Sequence, residues 1–315
     1  MEQFLRWWRA LRPFSFPASV FPSLTGSLAA AVFHRSEPWF AFSIVNAALA
    51  LVGCVAIHAT SNVLNDYFDW RSGLDQRDNS GRMNPLVQGT LTVQKFLALA
   101  TVCAAVAVGI GAVFIIQTGW PIVWIIVIGA LSAWAYTAPP LALKYRALGE
   151  VQVMLSFGVL MAVGSYVVQT GHHATLESES AVFLLSLPQS LLIAAILHAN
   201  NHRDRRGDRQ AGAQTLALLV GSARRSVAVG RMFVWGAYLV HVMIVGVTLG
   251  QRYAIPVWSL LSLLSLPWAR RALELLDGSD DPASEAFAMV VPMHARLQMA
   301  YGSLMVLGLS IAAIV

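Results

Sequence analysis

Asn65-Asp66-Tyr67-Phe68-Asp69-Trp70-Arg71-Ser72-Gly73-Leu74-Asp75 and Asn200-Asn201-His202-Arg203-Asp204-Arg205-Arg206-Gly207-Asp208 each follow a long apolar run, and each reads Asn-x-x-x-Asp with a further Asp beyond it. Carboxylates beside hydrocarbon are unfavourable unless charge, metal or water compensates them. Oxygens of clustered Asp and Asn suit Mg2+, which keeps several waters and binds through carboxylates and phosphate oxygens. Two such clusters could hold one diphosphate between them through bridging metal. On a continuing helix Asn62, Asn65, Asp66 and Asp69 share one face. Gly73 then ends the helix and Asp75 lies on the loop. Asn201, Asp204 and Asp208 form a second stripe. Each stretch precedes a Thr-Leu pair, Thr90-Leu91 and Thr215-Leu216, so the two halves read as an internal repeat.

The 315-residue chain is 57% hydrophobic and only 12% charged, where soluble domains carry roughly 25%. Nine apolar runs are long enough to cross a bilayer, at about 20 residues each. They lie near 17–34, 38–64, 93–116, 119–137, 148–170, 180–200, 226–249, 253–276 and 295–315. The expected fold is therefore an all-α, polytopic membrane bundle of nine transmembrane helices. A soluble helical protein is the alternative that these lengths disfavour. With the N-terminus cytoplasmic, nine crossings put the C-terminus outside. Of the 21 Lys and Arg residues, all but Arg35 and Arg252 then fall on the cytoplasmic side, a strong positive-inside pattern. The net charge of +5 belongs to that face and to anionic lipid or substrate, not to nucleic acid. Residues 1–315 read as one membrane domain, with the Asp-rich regions at 65–92 and 200–221. Residues 1–13 form an interfacial helix rather than a signal peptide: Phe4, Trp7, Trp8 and Leu11 recur at helical spacing between Arg6, Arg9 and Arg12. Cys54 and Cys103 stand singly in apolar runs, which implies neither a disulfide framework nor a zinc site.

The plainer reading of the acidic stretches is that of solvated helix ends, with Asp paired to nearby Arg. Two matched clusters on one face, each led by Asn, favour the metal reading, because Asn adds an oxygen without adding carboxylate repulsion. Arg71, Arg77, Arg82, Lys144, Arg146, Arg203 and Arg209 are interleaved with the acids. Diphosphate needs such neutralisation, and Arg82 and Lys144 are the candidate contacts. The triplet Arg205, Arg206 and Arg209 reads as a topology anchor. His58 and His198 sit about a turn before an Asn of each cluster. They are either site residues or hydrogen-bonding partners of a neighbouring helix. Trp120, Trp124, Trp134, Tyr136 and Trp258 fit interface belts, and Gly109, Gly111, Gly158 and Gly164 fit close helix packing. No GxGxxG, Walker loop, CxxC or Ser-His-Asp pattern occurs, which weighs against NAD, ATP or acyl-enzyme chemistry.

Taken together, the chain resembles the UbiA superfamily of intramembrane aromatic prenyltransferases, which is similar in its nine helices and its two Asp-rich motifs after helices 2 and 6. Within it the chain looks most like the branch that prenylates 1,4-dihydroxy-2-naphthoate in menaquinone synthesis. The likeness is carried by Leu11-Arg12-Pro13, the stretch from Asn65 to Asp75, Tyr136-Thr137-Ala138-Pro139-Pro140, Lys144 to Glu150, Gly164-Ser165-Tyr166 and the run from Asn200 to Gly221. The wider family places its last Asp of the first motif four residues after the middle one. Here that position is Gly73 and the acid comes at Asp75, a spacing shared with the naphthoate branch. The stretch from Arg77 to Pro85 departs from the branch's usual pattern, which puts the role of Arg82 in question.

The resemblance implies that Asn65, Asp69, Asn201, Asp204 and Asp208 hold Mg2+, with Asp66 and Asp75 as further candidates. Lys144, Arg82, Asn65 and Asn201 contact the diphosphate, and Asp69, Asp204, Asp208 and Lys144 are the catalytic set. The substrates would be a polyprenyl diphosphate and an aromatic small molecule, handled in a bacterial inner (cytoplasmic) membrane. Within the superfamily, a different aromatic acceptor or terpene cyclisation remains open. A cation-coupled transporter expects acids near the bilayer midplane and interrupted helices, whereas these clusters lie at helix ends on one face.

Cysteine labelling of intact cells tests the orientation. A reporter at position 208 should be protected from an impermeant reagent and one at position 177 should react; the converse pattern would mean an inverted protein.

Overall fold

The structure, a computed structural model, describes residues 2–73, 84–138 and 140–315, with side chains from Arg6 onward. Asp75, Arg77 and Arg82 lie outside the described residues. A short amphipathic helix, α1 (Glu2–Ala10), precedes α2 (Pro17–His34), α3 (Ile44–Arg71), α4 (Val93–Thr118) and α5 (Trp120–Thr137). The next crossing is composite: α6 (Gly149–Val153), a π-helical segment Met154–Leu160, then α7 (Met161–Thr170). It is followed by α8 (Leu176–Arg203), the short α9 (Arg205–Gln210) and α10 (Leu216–Leu219), and α11 (Ala223–Thr248). A 3-10 stretch, Val257–Ser265, runs into α12 (Leu266–Asp277), and α13 (Glu285–Ile314) closes the bundle. No strand occurs among the described residues.

Hydroxyl caps set where the helices begin. Ser43 Oγ accepts from the Asn46 amide at 3.1 Å and Ser284 Oγ from the Phe287 amide at 3.1 Å. Two expected boundaries move as a result. The second span starts at Ile44 rather than 38, and the last starts at Glu285, ten residues before 295, because a helix continues through polar positions such as His294 and Gln298 that hydropathy discounts. Eight helices among the described residues are long and apolar enough to cross a membrane. The ninth expected span, 253–276, is the composite 3-10/α12 segment. Its serines explain the tighter winding. Ser259, Ser262 and Ser265 recur every three residues, so a 3-10 helix stacks them on one line. All three are fully buried, and His241 meets Ser259 at 2.9 Å and Ser262 at 3.0 Å while Tyr238 meets Ser265 at 2.6 Å.

Contacts sort the polar groups to two ends of the bundle. One end gathers Arg35, which donates to the Ala312 carbonyl at 2.8 Å, and the Arg252–Glu37 pair at 3.1 Å. The other gathers both acidic stretches with Lys144, Arg12, Asp277 and Asp280. The two basic residues that the charge pattern sets apart thus share the end opposite the acidic stretches. Trp120, Trp124, Trp134 and Trp258 are exposed, as expected of belts, but Tyr136 lines an internal cavity instead. Both cysteines are free.

Two glycines permit backbone contact. A Cβ at Gly26 would stand 1.9 Å from the Ala162 carbonyl oxygen, and one at Gly308 would stand 2.1 Å from that of Trp258. Gly158 likewise faces Ser190, whereas Gly109 has nothing within 4 Å and is not a packing position. Gly26→Ala should therefore destabilise the detergent-solubilised protein by about 1–3 kcal/mol, as overpacking does, and Gly109→Ala, in open space inside α4, should not destabilise it. Thermal unfolding of the two variants side by side is the check; equal midpoints would contradict the close α2–α7 approach.

Candidate active site

Asn65, Asp66 and Asp69 occupy the last two turns of α3, and all three are buried. The helix ends at Arg71, and Gly73 takes the left-handed conformation at φ 77°. Opposite them the loop after α5 delivers Lys144. Its Nζ donates to Asn65 Oδ1 at 2.8 Å and to the two Asp69 oxygens at 3.0 and 2.7 Å. The Tyr145 hydroxyl donates to Asp69 Oδ1, and Asn65 Nδ2 donates to Asp69 Oδ2 at 3.1 Å. Lys144 is 6% exposed and Asp69 0%, so this is an ion pair removed from water, and its hydrogen bonds offset the desolvation. The loop holds this geometry by local strain: Ala142 and Ala147, which bracket the pair, have φ 42° and 56°.

Asp66 faces a different cation. It pairs with Arg12, which itself adopts φ 55° in the turn between α1 and α2. That turn is tied to α3 by Asn62, whose Nδ2 donates to the Leu11 carbonyl at 3.1 Å and to Ser15 Oγ at 3.0 Å. His58 belongs to the same network, between Ser15 and Ser19 at 3.2 and 2.6 Å. It is a helix-to-helix hydrogen-bonding residue here, and so is His198.

The second stripe is split. α8 stops at Arg203, Asp204 forms the junction and α9 carries Asp208, although the Asp208 amide still donates to the Asp204 carbonyl at 3.0 Å. Arg203 engages Asp204 through Nε at 2.7 Å and its terminal nitrogen at 2.9 Å, and also reaches Asn200. Asn201 and Asp208 are buried. Asn201 Nδ2 donates to Glu150 Oε1 at 3.1 Å, and His198 Nδ1 lies 3.1 Å from the same oxygen. The loop before Glu150 is fastened to the loop after α9: the Ala147 amide donates to the Gln214 carbonyl at 2.7 Å. The segment 143–150 therefore touches both acidic stretches, with Lys144 on the first and Glu150 on the second.

Three residues of this arrangement, Arg12, Tyr145 and Glu150, are not among the site residues expected from sequence. Sequence offers two signals for them: they stand in the stretches that carry the family likeness, and Arg12 and Glu150 are charged residues next to a span. Beneath the first cluster, a cavity of about 200 Å³ runs between α3, α4, α5 and the composite crossing. Its walls are mostly apolar, with Ser61, Ser132, Tyr136, Gln152, Ser156 and Ser165 as the polar exceptions. Ser61 is one turn from Asn65 on the same face of α3, so the cavity leads to the cluster.

These donors fit a hard cation by their chemistry. Asn201 Oδ1 is a buried acceptor with no hydrogen-bond partner among the described residues, and the remaining candidates are carboxylate and amide oxygens. Among the described residues no three His, Cys, Asp or Glu side chains already converge at ligating distance.

Residues 19–291 match the UbiA prenyltransferase family. The chain belongs to that family, and it is a prenyltransferase. It is 31% identical to the UbiA prenyltransferase domain-containing protein 1 homolog of Drosophila melanogaster, over 82% of this chain and 68% of that one. It is 25% identical to the 1,4-dihydroxy-2-naphthoate octaprenyltransferase of Bacillus subtilis, over 97% and 92%. Its fold is similar to that of a UbiA homolog from Archaeoglobus fulgidus solved with GPP and Mg2+ bound (TM-score 0.62, 17% identity, 95% of this chain and 99% of that one). An apo UbiA homolog from Aeropyrum pernix K1 gives a TM-score of 0.64 at 16% identity, over 93% and 97%.

The ion pair makes a stability prediction. Lys144→Met leaves a buried carboxylate short of its cation and should destabilise the protein by about 3–5 kcal/mol. Adding Asp69→Asn to it removes the uncompensated charge and should recover most of that loss. Chemical denaturation in detergent measures both, and additive losses would contradict the pairing.

Proposed function

We propose that the chain transfers a prenyl group from a polyprenyl diphosphate to 1,4-dihydroxy-2-naphthoate, the prenylation step of menaquinone synthesis. The observation that carries this reading is a buried cation, Lys144, held by Asn65 and Asp69 one helical turn beyond Ser61, a residue that lines an apolar cavity, in a prenyltransferase. The likeness to the Bacillus subtilis enzyme over nearly the full length of both chains supports the acceptor.

In this reading the prenyl tail lies in the cavity and the diphosphate lies between the two acidic stretches. Asn65, Asp69, Asn201, Asp204 and Asp208 would hold Mg2+, with Asp66 and Asp75 as further candidates. When bound, Mg2+ supplies positive charge to the phosphate oxygens. Lys144 and Arg82 take the remaining phosphate charge, so the diphosphate departs with the electrons of the C–O bond. An electron-rich ring carbon then forms the new C–C bond, and the ring carboxylate leaves as CO2. The cavity walls keep water from the allylic cation. Residues 1–315 act as one membrane domain, in a bacterial inner membrane, with the acidic stretches on the cytoplasmic side.

Mass spectrometry of the lipid-soluble product from dihydroxynaphthoate and a series of isoprenyl diphosphates tests the reaction. Prenylated, decarboxylated product should appear with Mg2+ and vanish with excess EDTA; turnover of the diphosphate alone would instead mean cyclisation. Asp69→Asn and Asp204→Asn should each lower turnover by roughly 10²-fold, about 3 kcal/mol of transition-state stabilisation. Glu274→Gln alters an exposed ion pair with Arg271 and should be nearly silent. Near-normal rates for both Asp variants would reduce the acidic stretches to solvated helix ends.

A further inference from the structure

We propose that Glu150 is a positioning residue for the second acidic stretch, fixing the Asn201 amide so that its oxygen faces the diphosphate and its cation. This rests on the site reading above and adds a residue to it.

Glu150 lies in the first turn of α6 and is 1% exposed. Its Oε1 accepts from Asn201 Nδ2 at 3.1 Å. An ionised carboxylate has only acceptors, so the amide NH2 is the end that must turn toward it. Asn201 Oδ1 is thereby turned away. Among the described residues nothing else sets its direction, since this buried oxygen has no hydrogen-bond partner there. Such an acceptor is costly unless a donor or cation completes it.

The carboxylate is itself held in place. His198 Nδ1 lies 3.1 Å from Oε1, and His198 is anchored by Nε2 at 2.8 Å from the Ser226 carbonyl. Gly149 lets α6 begin close to its neighbours: a Cβ there would lie 3.3 Å from Leu197 Cδ2 and 3.6 Å from Lys144 Cα. One turn of chain thus sets both Lys144 and Glu150.

The first stretch offers the same arrangement with its partner present. Asn65 directs Nδ2 to a carboxylate, Asp69, and Oδ1 to a cation, Lys144. Asn201 directs Nδ2 to Glu150 and presents Oδ1 with no partner among the described residues. The comparison assigns Asn201 Oδ1 to a cation that arrives with substrate, and assigns Glu150 to aiming it.

The test uses the full-length protein in detergent. N201A, E150D, E150Q and the double variant E150D/N201A are compared in two measurements: the Mg2+ concentration for half-maximal turnover at saturating substrates, and Mn2+ binding by electron paramagnetic resonance in the presence of inorganic pyrophosphate. N201A removes a direct contact and should raise the metal requirement at least about tenfold, since even outer-shell partners have effects of that size on metal affinity. E150D keeps the charge but withdraws it from Asn201, and it should match N201A. The double variant should be no worse than either single one, because the two act through one contact. E150Q keeps an acceptor within reach of Asn201 Nδ2 and should restore metal binding although it removes the charge. Normal metal binding in E150D overturns the proposal. So does E150Q as poor as E150D, which would make the carboxylate itself a ligand. A multiplicative loss in the double variant overturns it as well. If N201A alone leaves both measurements unchanged, the assignment of Asn201 to the metal site fails, and the proposal fails with it.

Discussion

A single ammonium group, buried among the oxygens of Asn65 and Asp69, is the interaction on which the rest of the site depends. Either charge alone would be costly at this depth. The idealised cost of removing such an ion from water is of order 20 kcal/mol, and several kcal/mol remain after relaxation. The pair persists because every oxygen facing Lys144 is also organised by the protein, with Tyr145 and Asn65 both donating to Asp69. The geometry is specific enough to require residues outside the favoured backbone regions. Among the described residues the non-glycine positions with positive φ are Arg12, Ala142 and Ala147, and all three lie at this site. Strain of that kind survives only where surrounding contacts over-determine the conformation.

The consequence is that three separate elements are locked to the end of α3. The turn before α2 is held through Arg12 and Asn62, the loop after α5 through Lys144, and the loop after α9 through the Ala147–Gln214 hydrogen bond. The two acidic stretches are far apart in sequence. Yet both are read by residues 143–150, so their separation is set by a short piece of chain rather than by long helices that can tilt. A reaction needing a diphosphate held between two clusters has a physical reason for that arrangement, since small displacements of positioning groups lower rates steeply.

How much of this is legible in sequence depends on the scale of the signal. Membrane helices are written in composition, which averages over 20 residues, and the two Asn-x-x-x-Asp stretches are written in spacing along one helix. Lys144 is legible because its stretch matches a family pattern. Arg12, Tyr145 and Glu150 also stand in matching stretches, but their roles are not legible, because what makes them site residues is contact across 54, 76 and 51 positions of chain. The break at Asp204 is also hidden: a stripe at helical spacing does not reveal that the helix stops there and a second one starts. The 3-10 stretch is a partial exception. Ser259, Ser262 and Ser265 carry a period of three in plain view, but only the burial of His241 beside them shows why that winding is favoured over an α-helix.

The bundle divides its stiffness unevenly, and the division follows from which helices are surrounded. In the most apolar stretch of α8, 61% of residues are buried inside the protein, against 17% for α4 and for α5. Helices α2, α8, α11 and α13 pack around polar anchors such as His241–Tyr301 at 2.6 Å, which leaves them little freedom. The cavity lies instead against α4 and α5, whose other faces carry exposed apolar side chains. On the opposite wall the π-helical segment Met154–Leu160 interrupts the regular ladder and contributes Ser156, Phe157 and Leu160 to the lining. Such segments inside α-helices recur at functional sites. The acidic end is thus fixed by charge and hydrogen bonds, while one side of the apolar chamber is walled by α4 and α5, the spans least buried in the protein. A substrate with a rigidly recognised headgroup and a long apolar tail asks for that combination: the headgroup gains from preorganised charge, and the tail gains from burial that carries little directional demand.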